Sequence, residues 1–304
     1  MEDGNKKLKY NLQIAMDRRP SVLFLGNGVL QLSGGGDWSK LLAAIQGKKP
    51  KKINQDGIPM AMLPECLCGS TVEEVQTKTA EEVKTCKAHP FLSKLVNLDF
   101  DAIITTNYAY EVEEIISGKD WSNGYARKKA FYAMDDVKGA RYNACVCNMV
   151  KRKGGKTVPV FHAHGEIDRK GSLILGYYSY ANAVSKLIEV NKKRADVYQQ
   201  HQESGKPLSC MSWLDFFILG NIYMVGFGLD TSEFDIWWAI ERKSREKAAH
   251  GELYAYMIDD GKKNLNPQNT LLSAMSASMI TVKKTGKEYL PAYEEIYDDI
   301  KSKI

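Results

Sequence analysis

Five short stretches of this chain carry residues able to do chemistry, four of them in or beside glycines. The first is Gly26-Asn27-Gly28-Val29, with Gly34-Gly35-Gly36 close behind. Glycine lets a backbone approach a phosphate closely, and a helix starting there offers its N-terminus to negative charge. The same G-x-G spacing is also an ordinary tight turn. The second stretch is Thr105-Thr106-Asn107-Tyr108, whose polar side chains either meet a ligand or cap the next helix. The third, His162-Ala163-His164-Gly165-Glu166, holds two imidazoles one residue apart. On a strand these point to the same side, a spacing that suggests metal, although no third ligand accompanies them. A histidine beside glycine at a strand end is also well placed as a base. The fourth is Gly226-Phe227-Gly228-Leu229-Asp230, and the fifth is Asp259-Asp260, whose carboxylates suit ribose hydroxyls.

Each stretch needs an element to position it, and each closely follows a short apolar run. The runs are Val22 to Leu25, Ala102 to Thr105, Val158 to Phe161, Ile222 to Val225 and Leu253 to Ile258. Near-continuous apolar runs of this length predict strands buried on both faces, as in a parallel sheet. Helical patterns follow. Asp37 reads as an N-cap for a stripe of Trp38, Leu41, Leu42 and Ile45. Asp230 with Glu233 reads as a capping box before Phe234, Trp237, Trp238 and Glu241, in a helix ending in basic residues. Strand, loop and helix repeated in this way predict an α/β fold with an open, doubly wound, Rossmann-like and mainly parallel sheet. Ligands of such sheets bind outside the carboxyl ends of the strands, where all five stretches converge. Helical insertions are expected at about 47–96, which includes the basic loop GKKPKK and a helix near Val72 to Lys84, at 117–155, and at 180–212, with a long polar helix from Ala181 to about Glu203.

Composition excludes several classes. The chain has 304 residues, 44% of them hydrophobic, enough for one large domain with insertions. A net charge of +5, spread along the chain, does not indicate direct nucleic-acid binding. The longest apolar runs, such as Phe216 to Leu219, are too short for a bilayer, and MEDGNKKLKYNLQ has no secretory core. No membrane association and a cytoplasmic location are the expectations. Cysteines 66, 68, 86, 145, 147 and 210 include two pairs with one intervening residue, closer than zinc-ribbon ligands stand. A dehydrogenase fingerprint is incomplete, because GKKPKKINQDG stands where a strand ending in an acid belongs.

Taken in order, GNGV, TTN, HAHG, VGFG and the late IDD resemble the motif series of the sirtuin fold, over roughly residues 20–260. The ITTNY and HAHG versions, and the LILGYYSY stretch, resemble the bacterial sirtuin-like proteins of anti-phage defence. The resemblance implies a single sirtuin-like domain over 1–304, with NAD as substrate. It places Gly26, Asn27 and Gly28 at the phosphates, Thr106 in the adjoining cofactor loop, and Gly226 and Gly228 beneath the adenosine. Asp259 falls at a ribose position, Asn107 beside the nicotinamide ribose, and His164, not His162, matches the catalytic histidine. The acid that the family carries within two residues of the asparagine is absent, since Tyr108 and Ala109 stand there and Glu111 comes next. Cys210 is the only cysteine after His164, so the family's zinc ribbon is missing; no zinc is expected and lysine deacylation is disfavoured. The implied activity is an NAD glycohydrolase giving nicotinamide and ADP-ribose, with Asn107 orienting ribose or water and His164 as general base. Gating by homo-oligomer assembly, or by a partner such as a DNA-translocating ATPase, follows from the same resemblance. A non-catalytic NAD or ADP-ribose sensor is the alternative.

Overall fold

The computed structural model describes residues 12–14, 19–34, 38–46, 58–68, 71–121, 130–132, 143–204, 208–210, 212–246, 251–262 and 264–304. Ten strands lie among them: β1 (Leu12–Ile14), β2 (Ser21–Leu25), β3 (Ala102–Thr105), β4 (Ala130–Tyr132), β5 (Val146–Lys151), β6 (Thr157–His162), β7 (Leu208–Cys210), β8 (Asn221–Val225), β9 (Leu253–Asp259) and β10 (Ser278–Lys283). Eight form one sheet in the order β10-β9-β8-β2-β3-β6-β5-β4, and β1 pairs with β7 in a separate antiparallel ribbon. From β10 to β6 every neighbour is parallel; β5 and β4 extend the edge antiparallel. Ranked by chain order, the parallel strands β6-β3-β2-β8-β9-β10 read 3-2-1-4-5-6, the order of the doubly wound dinucleotide fold. The architecture is a Rossmann-like α/β sheet with helices on both faces.

The apolar runs form strands because both faces are covered. Val22 and Phe24 pack under the helices Trp213–Leu219 and Phe234–Arg245, while Leu23 and Leu25 pack under Pro90–Val96 and Leu290–Lys303. Phe24 stacks on Phe227, with ring centroids 4.8 Å apart, so the core reaches up to the loop after β8. All seven residues of Trp213–Leu219 are buried, which makes its apolar run a core helix. Its capping box pairs Ser212 with Asp215, and the Asp215 carboxylate also accepts from Arg194 and Tyr198. Around its other end, buried Lys243 donates to the carbonyls of Phe217, Ile218 and Gly220 at 3.0, 2.9 and 2.7 Å. Trp237 and Trp238 pack into the core, as their helical spacing suggests.

Three expectations change. The 117–155 stretch is not a helical insertion, because it supplies β4 and β5 to the sheet. Val146, Cys147 and Val150 are buried there, and β-branched residues at 146 and 150 favour a strand. Asp230 does not cap the helix after β8. That helix begins at Phe234 with Glu233 at the N-cap, and the Asp230 carboxylate turns back to accept from the Ser232 N–H and hydroxyl. The long polar helix starts earlier than Ala181 and spans Tyr177–Ser204. The 47–96 region does hold helices, Leu63–Cys68, Val72–Glu82 and Pro90–Val96. Gly35, Gly36, Asp37 and the GKKPKK loop lie outside the described residues. Among the described residues no helix is long and apolar enough to cross a membrane.

Candidate functional site

The order of the parallel strands reverses between β2 and β8, and two glycine turns meet at that point. They grip each other. The Gly26 N–H donates to Val225 O and the Gly28 N–H to Gly226 O, both at 2.8 Å. A Cβ on Gly26 would lie 2.4 Å from Gly226 O, and one on Gly28 2.8 Å from the same atom. Gly226 itself has φ +78, the left-handed region that favours glycine. Backbone-to-backbone contact therefore requires these glycines before any phosphate does. Asn27 opens a seven-residue 3-10 helix, Asn27–Ser33, and Gly228 is exposed on the far turn.

The loop after β3 is fixed between its neighbours. The Thr105 hydroxyl donates to Leu25 O at 2.9 Å and accepts from the Asn107 N–H at 3.0 Å. The Thr106 N–H donates to Leu25 O, and the Ala163 N–H to Thr105 O at 2.8 Å. Thr106 is half-buried, and Asn107 is 8% exposed. The Asn107 Oδ1 has no hydrogen-bond partner among the described residues, a state that buried polar atoms rarely keep without a ligand or water.

The two histidines part company. His162 is the last residue of β6 and faces the helix Glu111–Ser117, with Nε2 2.8 Å from Glu113 Oε1 and Nδ1 2.6 Å from Asn107 O. Asn148 donates to that Glu113 oxygen at 2.9 Å and to Glu166 Oε2 at 3.2 Å. Glu166 in turn pairs with Arg169. Burial alone lowers the His162 pKa, but Glu113, Glu166 and the Asn107 carbonyl together raise it to about 9. His162 is thus the cationic centre of a buried network that holds the backbone of Asn107. His164 follows in a turn closed by Gly165, whose N–H donates to His162 O and whose φ is +85. That turn carries His164 to the opposite face of the sheet from His162. The strand geometry that would have put both imidazoles on one side ends one residue too early.

His164 is 3% exposed, and its Nε2 lies 3.0 Å from Asp235 Oδ2 in the first turn of Phe234–Arg245. The contact is an ion pair rather than a well-aligned hydrogen bond. Burial pushes the imidazolium pKa down, but Asp235 and nearby Glu233 outweigh it and raise it above the ordinary histidine value. The ring also meets Tyr180 edge to face at 5.4 Å. Burial, with Asp235 and Asp230 nearby, raises Glu233 to about 7 against the opposing pull of His164. The Tyr108 hydroxyl donates to Ile174 O at 2.8 Å, and the Ile174 N–H donates to His164 O at 2.8 Å. An imidazole with a carboxylate behind it, bordered by two phenols and a second acid, is a base with a held orientation.

A short segment, residues 60–68, covers this cluster. The Ala61 N–H donates to Ser232 Oγ at 3.1 Å, and Ala61 packs with Ile174 and Tyr180. Leu63 and Leu67 pack with Tyr108, Leu173 and Leu175. The Glu65 carboxylate accepts from the N–H groups of Tyr177 and Tyr178, capping the long helix.

The fold thus brings Gly26, Gly28 and Gly226 into contact, and laces the Thr106–Asn107 loop to the turn that carries His164. Asp259 stands apart. Its strand β9 is four strand spacings from β6, on the order of 19 Å, and its Oδ1 accepts from the Gly261 N–H at 2.9 Å. Asp235, Glu113 and Asn148 were not singled out in the sequence, and Glu166 and Tyr180 stood there only as members of the HAHGE and LILGYYSY stretches. Asp235 sits one residue after Phe234 in an evident helix start, where an acid reads as dipole stabilisation. Glu113 sits beside Val112 in an amphipathic helix, where an acid reads as solvated. Among the described residues no group of three His, Cys, Asp or Glu is gathered to hold a metal ion. Compared with known protein families and with curated proteins, the chain matches none.

Proposed function

We propose that this protein binds NAD across the β2–β8 crevice and hydrolyses the bond between nicotinamide and ribose, releasing nicotinamide and ADP-ribose. One observation carries the reading: a buried imidazole backed by a buried carboxylate, His164 with Asp235 at 3.0 Å, at the carboxyl edge of a dinucleotide-type sheet. The ring nitrogen of nicotinamide is cationic in NAD, so it leaves without a proton, and an oxocarbenium-like sugar remains. In this reading Asn107, with its unpartnered Oδ1, orients the attacking water or a ribose hydroxyl. His164 takes the proton as the C–O bond forms, and Asp235 balances the imidazolium. His162 and Glu113 touch no substrate; they position the Asn107 backbone. Gly26, Asn27, Gly28, Thr106, Gly226 and Gly228 line the dinucleotide crevice, and Asp259 marks its far end. The reaction needs neither a covalent nucleophile nor a metal.

The experiment is nicotinamide release from NAD by wild type, Asn107→Ala and His164→Ala. Full activity in either variant sinks that residue's role. A second reading, a non-catalytic NAD or ADP-ribose sensor, draws on the burial of Asn107 and His164, 8% and 3% exposed beneath the 60–68 cover. NAD binding with no nicotinamide release under any condition favours that reading. In the hydrolase reading the same burial means that activity waits on an opening event. By analogy with sirtuin-like defence proteins, we assign that event to homo-oligomer assembly, or to a partner such as a DNA-translocating ATPase during anti-phage defence in the cytoplasm.

A further inference from the structure

A cavity of about 80 Å³ lies beneath the first three turns of the long helix Tyr177–Ser204, beside residues 171–174 and the Asn143–Ala144 turn. None of the residues placed in the glycine crevice lines it, and neither does Asn107 or His164. Asp235 does, so the cavity and the His164 pair share one carboxylate.

The lining has a definite chemistry. Tyr178, 67% exposed, stands at the opening and offers an aromatic face. Ser179, 7% exposed, has a hydroxyl with no hydrogen-bond partner among the described residues, and neither Asp235 carboxylate oxygen has a hydrogen-bond partner among them. Asn143 and Asn182 add amide groups. The only charged residues in the lining are Asp235 and Lys186, which sum to zero, and Lys186 pairs with Glu189. A phosphate site needs clustered cations or a ring of free backbone N–H groups, and neither is here. What fits is an uncharged ring that stacks on tyrosine while one edge donates to a carboxylate and accepts from a hydroxyl. The volume is about half that of a closed cavity that holds benzene, so a ring would sit partly in the opening against Tyr178.

We propose that this cavity binds a neutral planar heteroaromatic ligand bearing an amide or amino group, separately from the dinucleotide crevice. Nicotinamide and the adenine ring of adenosine are the two sources of that chemistry. Because Asp235 is common to both places, the ligand changes the carboxylate that backs His164. The cavity is thus an effector site rather than part of the substrate cradle.

The test uses the full chain without NAD. Nicotinamide, adenosine and inorganic phosphate are titrated separately while NMR follows the His164 imidazole signals and calorimetry follows binding. One of the two ring compounds is expected to bind saturably and to displace the His164 signals, and phosphate to do neither. Which ring compound binds identifies the source. Tyr178→Ala and Ser179→Ala are expected to weaken that binding by about tenfold each, as loss of an aromatic face or a hydrogen bond does. Tyr178 is largely exposed, so its variant keeps the fold, which a thermal melt verifies. Binding by neither ring compound, wild-type affinity retained in both variants, or preferential phosphate binding overturns the proposal. Nicotinamide release measured on the same samples reports the hydrolase reading separately, so either can fail while the other stands.

Discussion

His164 Nε2 and Asp235 Oδ2 lie 3.0 Å apart across the gap between the turn after β6 and the helix after β8. Both side chains are buried, so the carboxylate acts at short range through a medium poor in water. The imidazole is thereby a stronger base than a free one. Asp235→Asn is expected to lower nicotinamide release by about 100-fold or more, the lower end of what a positioned base contributes. His164→Ala is expected to reach the same floor. Steady-state rates of the two single variants and the double variant settle whether the pair works as one unit.

The direction of the His164 shift also fixes a pH profile. A base must be unprotonated, and a raised pKa keeps the proton on to higher pH. The acid limb of the wild-type rate is therefore expected above pH 6.5, the ordinary histidine value. In Asp235→Asn, burial is left without its opposing charge, and the limb is expected to move to lower pH. An unmoved limb in that variant would mean that the titrating group is not His164.

His162 predicts stability rather than rate. Its folded-state pKa of about 9 exceeds that of a free histidine, so the folded protein holds the proton more tightly than the unfolded chain does. The associated stabilisation is complete below about pH 6.5 and is lost as the pH climbs through about 9. Thermal melts across that window are expected to show a decline in wild type that flattens in His162→Gln. Glu113→Gln is expected to destabilise most at low pH, where the buried imidazolium is stranded.

Gly26→Ala is expected to cost about 1–3 kcal/mol through overpacking, because its Cβ would meet Gly226 O at 2.4 Å. Gly154 has nothing within 4 Å of its hypothetical Cβ, so Gly154→Ala is expected to be neutral. Denaturant unfolding of the two variants compares them directly.

Lys243→Met keeps the length of the side chain and removes its three donors. The carbonyls of Phe217, Ile218 and Gly220 lose their shared donor at the end of a fully buried helix. Burial already pushes the Lys243 pKa well down, so the expected loss is about 1–3 kcal/mol, that of leaving buried acceptors without a partner. Equilibrium unfolding gives the number.

The five strands that carry the loops were legible in the sequence because parallel strands are covered on both faces and read as unbroken apolar runs. β10 was not, because Ser278–Lys283 lies at the sheet edge and only Val282 is buried. β5 hides its pattern differently, since buried Asn148 interrupts Val146 and Val150 and serves the Glu113–Glu166 network instead of the core. The helix Leu290–Lys303 had a clear signal in Ala292, Tyr293, Ile296, Tyr297 and Ile300, but it lies beyond the last motif of interest. At the site, glycines and histidines stood out by type. Their partners did not, because Asp235 and Glu113 sit in helices where acids usually face water, and only packing turns them inward. The divergence of His162 and His164 depended on where β6 stops, which a one-residue spacing does not encode.

The mutual grip of Gly26, Gly28 and Gly226 has a mechanical meaning. Two turns joined by paired hydrogen bonds, too close to admit even a methyl group, cannot flex independently. They behave as one rigid rim across the seam between the two halves of the sheet. Displacing either turn therefore requires the other to move with it.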